Sequence, residues 1–570
     1  MSYFYTFVLL FASICVDCAG SDLPDSTEST AILSNIRQWI TKDLQINAAQ
    51  TEDFLSTDSI VCLVLRHHGE VIGVGTSSIG SVNPVAESAE FAFAEVAKNT
   101  VLRRLTPADR NNAMLFVSIE LEVGAAPEPS PSKQIDQIAW GVSKGIEGIA
   151  VRKGKRWALR MPAELRLAPT SKVANTIESL CIEAGVHPAT ALARQLPTSE
   201  DVTIYTIPTR TLLQDRAGAP ILQLIRGDDY VPISQITTST VRELADTIAT
   251  HVIRCTNQNG FVIGGYQPET DTLAPPHATV FVQLLVATSL DAYCLNPKAT
   301  QSQKARNAIN AILSNIESRY KSDTPIADSI AAAVVLFMQT HTTAKKESAL
   351  LYSRCREQVI ESCTKILQKE KPNPKPHIFA ILADALATID GEDTSDATPS
   401  LSEEFCNVAL TEVPLENQFS MIPWIIDAVQ KSCEEGLEHA SIQKLLGIVL
   451  ATQNNDGNEI DLLGGFSLVE RKSTIVDARG VRMVPMLARY AQEPNANQFK
   501  AMKALINALR FVSQLTTHQR RASMFANPSL AFGGVRNATW DASMPTEASA
   551  MALLGVSRAI TAFDVSSKGQ

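Results

Sequence analysis

Apolar and polar positions follow two rules along this chain, and the change falls near residue 236. Before it, short apolar runs alternate with Gly-containing turns. "SIVCLVLRHHGEVIGVG" predicts strand, turn, strand. "ESAEFAFAEVAKNTVLRR" carries Phe91, Phe93, Val96 and Val101 at helical spacing. "NAMLFVSIELEVG" alternates as a half-buried strand does. "GIEGIAVRKGKRWALRMPAE" reads as a second hairpin turning at Lys153-Gly154. "SKVANTIESLCIEAGVHP" is a helix stopped by Gly185 with Pro188 beyond. "DVTIYTIPT" supplies a closing strand. Residues 21–235 are thus expected to form an α+β domain built on antiparallel pairs, with its linker.

After residue 236 the helical period takes over. Amphipathic segments are expected near 239–254, 303–318, 348–368, 401–411, 439–452 and 498–514. Between them lie more uniformly apolar segments near 276–292, 326–340, 377–389, 419–433, 481–491 and 546–563. Outer helices wetted on one side, alternating with inner helices covered on both, suit six antiparallel hairpins. Residues 236–570 are therefore expected to form an all-α (α/α)6 toroid, and the whole chain a multidomain protein.

Composition adds bounds. A length of 570 residues suits two or three domains. A formal charge of −10 argues against nucleic acid as a partner. The run "YTFVLLFASICV" has the length of a signal-peptide core, and small residues follow it at Cys18, Ala19 and Gly20. Residues 1–20 are read as a cleaved leader, which makes the protein secreted or periplasmic. The alternatives are an uncleaved anchor or a buried N-terminal segment. No later segment reads as a transmembrane span. Eight of the ten cysteines follow residue 20, scattered, so neither a disulfide framework nor a metal site is expected. No cofactor is implied.

Two resemblances follow from these motifs. "CIEAGVHP", "IEGIAVRKGKRWALRMP" and "VTIY" make residues 30–215 resemble the AmmeMemoRadiSam system protein A family. That family carries Leu-Arg-Gly-Cys-Ile-Gly where this chain has "VIGVGT". Ile72 stands at the Arg position and Val74 at the Cys position, with only Gly73 in register. Ala163 replaces a Gln. The resemblance implies the family's fold and a binding or packing role, without its thiol. In the second half, Gln453-x-x-Asp456-Gly457 resembles the Gln-x-x-Asp-Gly-x-Trp repeat of terpenoid-cyclase and protein-prenyltransferase toroids, without the Trp. The enzyme motifs of those toroids, an Asp-x-Asp-Asp and a zinc-ligand set, are absent from the sequence.

Gly264-Gly265, Gly464-Gly465 and Gly533-Gly534 mark polar loops in hairpins one, five and six. Ring closure makes hairpins six and one neighbours, so the three loops are expected at one mouth. Tyr266, Asp271, Arg479, Arg536, Trp540 and Asp541 are the ligand-binding candidates. Carboxylates, arginines and an indole there suit a polysaccharide or another polar polymer. The competing reading is a joint, in which Gly-Gly turns and Arg–Asp pairs only tie loops down. The function expected is an exported binding or scaffold protein. A carbohydrate-active enzyme using carboxylates at the mouth (lyase, hydrolase or epimerase) is the alternative.

Overall fold

The computed structural model describes residues 26–568, apart from 43, 48–54, 168–171, 197–200, 321–323, 341–347, 392–400 and 471–472. The apolar leader lies outside these residues. The chain divides into two compact units: Met1–Asp229 with Asp456–Ile460, and Tyr230–Asn455 with Asp461–Gln570. The protein is multidomain, one unit combining sheet and helix and the other mainly helical.

The first unit is organised on an antiparallel sheet of eight strands. These are β1 (Ile60–His67), β2 (Glu70–Thr76), β3 (Val117–Gly124), β4 (Glu128–Pro129), β5 (Glu147–Lys153), β6 (Arg156–Arg160), β7 (Val202–Gln214) and β8 (Leu222–Leu224). Their order is β2-β1-β3-β7-β5-β6, with β4 and β8 also on β7. The long β7 pairs with β5 through Val202–Pro208 and with β3 through Thr209–Gln214. Among the described residues, six helices of at least six residues accompany the sheet: α1 (Ser26–Thr41), α2 (Pro84–Val96), α3 (Pro107–Met114), α4 (Ile135–Gly141), α5 (Pro162–Leu167) and α6 (Val173–Glu183).

β1 is apolar from Ile60 to Leu65 because both of its faces are buried there. Val61, Leu63 and Leu65 meet α1 and α2 in one cluster, while Ile60, Cys62 and Val64 join Met161, Tyr205 and Ile207 in another. Period-two alternation sets this division. It also sends Ile119, Leu121 and Val123 of β3 into the first cluster, leaving Glu120 and Glu122 for the opposite face. The strand expected from residue 112 begins at Val117. Residues 112–114 instead complete α3, which Thr106 caps by accepting from Asp109 N.

Twelve helices longer than two turns form the second unit among the described residues. They are α7 (Thr238–Arg254), α8 (Val280–Cys294), α9 (Ser302–Arg319), α10 (Asp328–Thr340), α11 (Ala349–Leu367) and α12 (Pro376–Asp390), then α13 (Leu401–Glu412), α14 (Trp424–Ser432), α15 (Ala440–Thr452), α16 (Met483–Gln492), α17 (Gln498–Leu515) and α18 (Thr546–Lys568). The even-numbered helices pack on one another in the order α16, α18, α8, α10, α12, α14. Between α14 and α16, Gln430 bonds to Arg489 and Glu493. Odd-numbered helices lie against them, with α9 on α8, α11 on α10, α13 on α12 and α7 on α18.

This unit is not wholly helical. β9 (Gly265–Gln267) pairs with β10 (Thr272–Leu273) and β13 (Met544–Pro545), and β11 (Ser467–Glu470) pairs with β12 (Ser473–Val476). One expectation about spans also changes. Thr546–Val565 of α18 is long and apolar enough to cross a membrane, with a mean hydropathy of 1.3. Two-thirds of that stretch is buried, against α7, α8 and α16.

Candidate functional site

Three loops of the helical unit share one construction. A residue just past the odd-numbered helix bridges to one beyond the turn: Thr256 to Val262, Gln453 to Phe466, Thr516 to Val535. The next backbone N–H, from Asn257, Asn454 or Thr517, then reaches the carbonyl of Phe261, Gly465 or Gly534. The turn glycines Gly260, Gly464 and Gly533 have φ of 74°, 85° and 84°. Each sits on a backbone carbonyl of another odd-numbered helix: Ala311 of α9, Asn507 of α17 and Thr247 of α7. A Cβ would stand 2.0–2.1 Å from those oxygens, so both φ and the close approach demand glycine. In hairpin one the equivalent glycine is therefore Gly260, and Gly264-Gly265 leads into a following strand that starts at Gly265.

The loops of hairpins one, five and six meet. Tyr266 of β9 lies opposite Met544 of β13, and Ala478 N donates to Asn537 O at 2.8 Å. The six candidate residues are placed on these neighbouring loops, but their polar groups are largely used within them. The Tyr266 hydroxyl donates to Asp271 Oδ1 at 2.8 Å, and burial pushes this phenol's pKa up, with Asp271 adding to the effect. The Tyr266 ring packs with Phe525 and Met544, whereas Trp540 is half-buried against the main helical core.

Arg536 is 1% exposed. It donates to the carbonyls of Leu515, Thr539 and Gln514 at 3.3, 3.1 and 2.6 Å. Asp541 accepts from Asn537 Nδ2, Ser543 N and Ser543 Oγ at 2.7, 3.0 and 2.6 Å. Arg479 pairs with Asp477 at 2.8 Å and stays half exposed. Arg482 donates to Arg479 O at 3.2 Å. Burial depresses the Arg482 guanidinium, and the charges of Glu547 and Asp477 act against that depression. His377, at the start of α12, is also depressed by burial, with Arg482 adding to it.

A residue missed at the sequence level anchors this region. Arg510 of α17 is fully buried. It donates to Val231 O, Asp461 O, Leu463 O and Gln514 Oε1 at 2.6, 2.8, 2.9 and 2.7 Å. Burial lowers its pKa to about 10. Its sequence signal is a charge inside the otherwise apolar stretch "ALRFV".

The first unit holds a second candidate that sequence reasoning also missed. Glu120 and Glu122 project from β3 to the same side. Arg166 of α5 pairs with Glu120, and its second nitrogen lies 4.0 Å from Glu122. Glu122 accepts Ala163 N at 2.8 Å and the Thr211 hydroxyl at 3.1 Å. Burial outweighs these partners and pushes its carboxyl up to about 7. Two glutamates two apart in an apolar strand, "SIELEV", were the legible signal. Nearby opens a cavity of about 480 Å³ lined by Val74, Arg160, Glu164, Leu165, Leu167, Thr176, Ser179, Leu180 and Glu183. Val74 is the residue at the resemblance motif's Cys position. Among the described residues, burial raises the Cys62 thiol far above its usual range, Cys181 to about 11, and Cys255, Cys355 and Cys406 to about 12.

No family model and no curated protein matches the chain. Among solved structures, an uncharacterized protein from Pyrococcus horikoshii aligns over 95% of its own length and 35% of this chain. Identity is 16% and the TM-score 0.24, a likeness that carries no argument about fold or function.

Proposed function

We propose that the chain is an exported two-unit binding protein whose helical unit is an (α/α)6 toroid and whose first unit is a degenerate relative of the AmmeMemoRadiSam system protein A family. The toroid reading is supported by Gly533 of hairpin six resting on α7 of hairpin one, and by α18 packing on both α7 and α8. These contacts join the last hairpin to the first, as ring closure requires.

The observation that carries the binding role is the exposure left where the three loops meet: Arg479, though paired with Asp477, stays half exposed, Trp540 is half-buried and Glu547 is exposed. Tyr266, Arg536 and Asp541 hold the joint, and Arg479, Trp540 and Glu547 would meet the ligand. An arginine with a half-buried indole suits a polar polymer such as a polysaccharide, bound rather than cleaved. The test is a polysaccharide panel assayed for retardation in affinity gels and for release of oligosaccharides. Binding without depolymerisation, weakened by Trp540→Ala and Arg479→Ala, is expected. Released oligosaccharides would instead favour a carbohydrate-active enzyme, and failure to bind any polymer would overturn the role.

A further inference from the structure

We propose that the cavity of the first unit binds a small molecule bearing a protonated amine on a compact apolar body, with Glu164 holding the ammonium. This site is independent of the toroid reading, because it lies wholly within the first unit. Its volume, about 480 Å³, falls in the range of small-molecule sites. Val74, Leu165 and Leu180 supply apolar walls for the body.

The charges on the wall choose the ligand. Two carboxylates face one guanidinium, and that guanidinium is committed. Arg160 pairs with Glu183 at 2.9 Å and donates its other terminal nitrogen to Leu159 O at 2.8 Å. Glu164 accepts Met161 N at 2.9 Å on Oε2, with the Thr76 hydroxyl as a second neutral partner and the Arg160 charge acting on it without a hydrogen bond. Burial raises the Glu164 carboxyl, so a cation docking there relieves an existing electrostatic cost. An anion would meet that carboxylate with no uncommitted cation on the wall. A metal ion lacks ligands, since no group of three or more His, Cys, Asp or Glu is poised to hold one among the described residues. A single ammonium, donating to one carboxylate and to the Thr176 or Ser179 hydroxyl on the same wall, matches the donor set.

The test uses the full-length chain with methyl-labelled Val and Leu, titrated with benzylamine and isoamylamine, and with benzyl alcohol and benzoate as neutral and anionic counterparts. Both amines should shift the Val74, Leu165 and Leu180 methyls saturably, at least about tenfold more tightly than either counterpart. Glu164→Gln should remove that preference for the amines over their neutral counterpart. Ser179→Trp, made at the exposed rim, should block every probe without needing a change at Glu164. Benzoate binding as tightly as benzylamine, an unchanged preference in Glu164→Gln, or no saturable shift at these methyls would each overturn the proposal.

Discussion

At the scale of single residues, burial sets the chemistry more than neighbouring charge does. Glu122 is the clearest case. Its folded pKa of about 7 lies above the ordinary carboxylate value. Its contribution to stability is therefore complete below about pH 4.5 and is lost as pH rises through 7. The shift corresponds to roughly 3 kcal/mol. Urea unfolding of the first unit should show a midpoint that falls between pH 5 and pH 8. Glu122→Gln should flatten this dependence and exceed the parent's stability at pH 8. The thiols obey the same rule with the opposite chemical consequence. Iodoacetamide at neutral pH should label Cys62 and Cys181 slowly in the native protein and quickly only in denaturant, because burial suppresses their thiolates.

At the scale of elements, the repeated loop depends on backbone approach rather than on side-chain chemistry. Gly533→Ala would place a methyl 2.1 Å from Thr247 O at a φ of +84°. It should destabilise the helical unit by about 2–4 kcal/mol, measured by thermal or urea unfolding. Gly447→Ala, in the middle of α15 with open space around it, should stabilise by about 0.5–1 kcal/mol and serves as the control. The same joint is sensitive to acid. His251 of α7 packs beside Gly534, and its Nδ1 lies 2.8 Å from Leu530 O. A carbonyl only accepts, so Nδ1 carries the proton. Burial lowers this histidine to about 4. Its contribution to stability is present above about pH 6.5 and is lost as pH falls towards 4. The unfolding midpoint of the helical unit should decline over that window, and His251→Gln should remove the decline.

At the scale of the whole molecule, the boundary between the units makes a definite prediction. In the sequence the family resemblance ends near residue 215, and the residues up to 235 go with the linker. In the structure Leu222–Leu224 joins the sheet as β8 along Thr211–Leu213 of β7, and the compact unit runs to Asp229. A fragment of residues 26–229 should fold cooperatively, whereas one ending at 215 should leave an edge of β7 unpaired and aggregate or melt earlier. Far-UV circular dichroism and analytical ultracentrifugation of the two fragments would distinguish them. Equal behaviour would show that β8 adds nothing.

Much of the architecture was legible because helices and strands record their burial in periodic local patterns. The segments expected near 303–318, 377–389 and 498–514 correspond to α9, α12 and α17, and the hairpins at residues 59–75 and 145–164 to β1–β2 and β5–β6. "NAMLFVSIELEVG" misled at its start because a capped helix end and a strand adjoin without a breaker between them. The candidate site was legible only as a neighbourhood. Its Gly-Gly pairs marked turns, but in hairpin one the glycine required by a neighbouring backbone is Gly260, and no local pattern shows which helix will press on it.

What the residues do was decided by tertiary partners. Arg536 and Asp541 look like ligand groups in a string of letters, and become structural once Gln514, Thr539 and Ser543 meet them. Glu164 and Glu183 look like ordinary helix carboxylates, yet one is tied to Arg160 and the other is half enclosed beside a cavity. Periodicity is a property of neighbours in sequence, so the chain by itself determined where its helices and strands lie. Charge compensation, pKa and cavity shape depend on groups brought together from distant positions, so only the folded chain determined them.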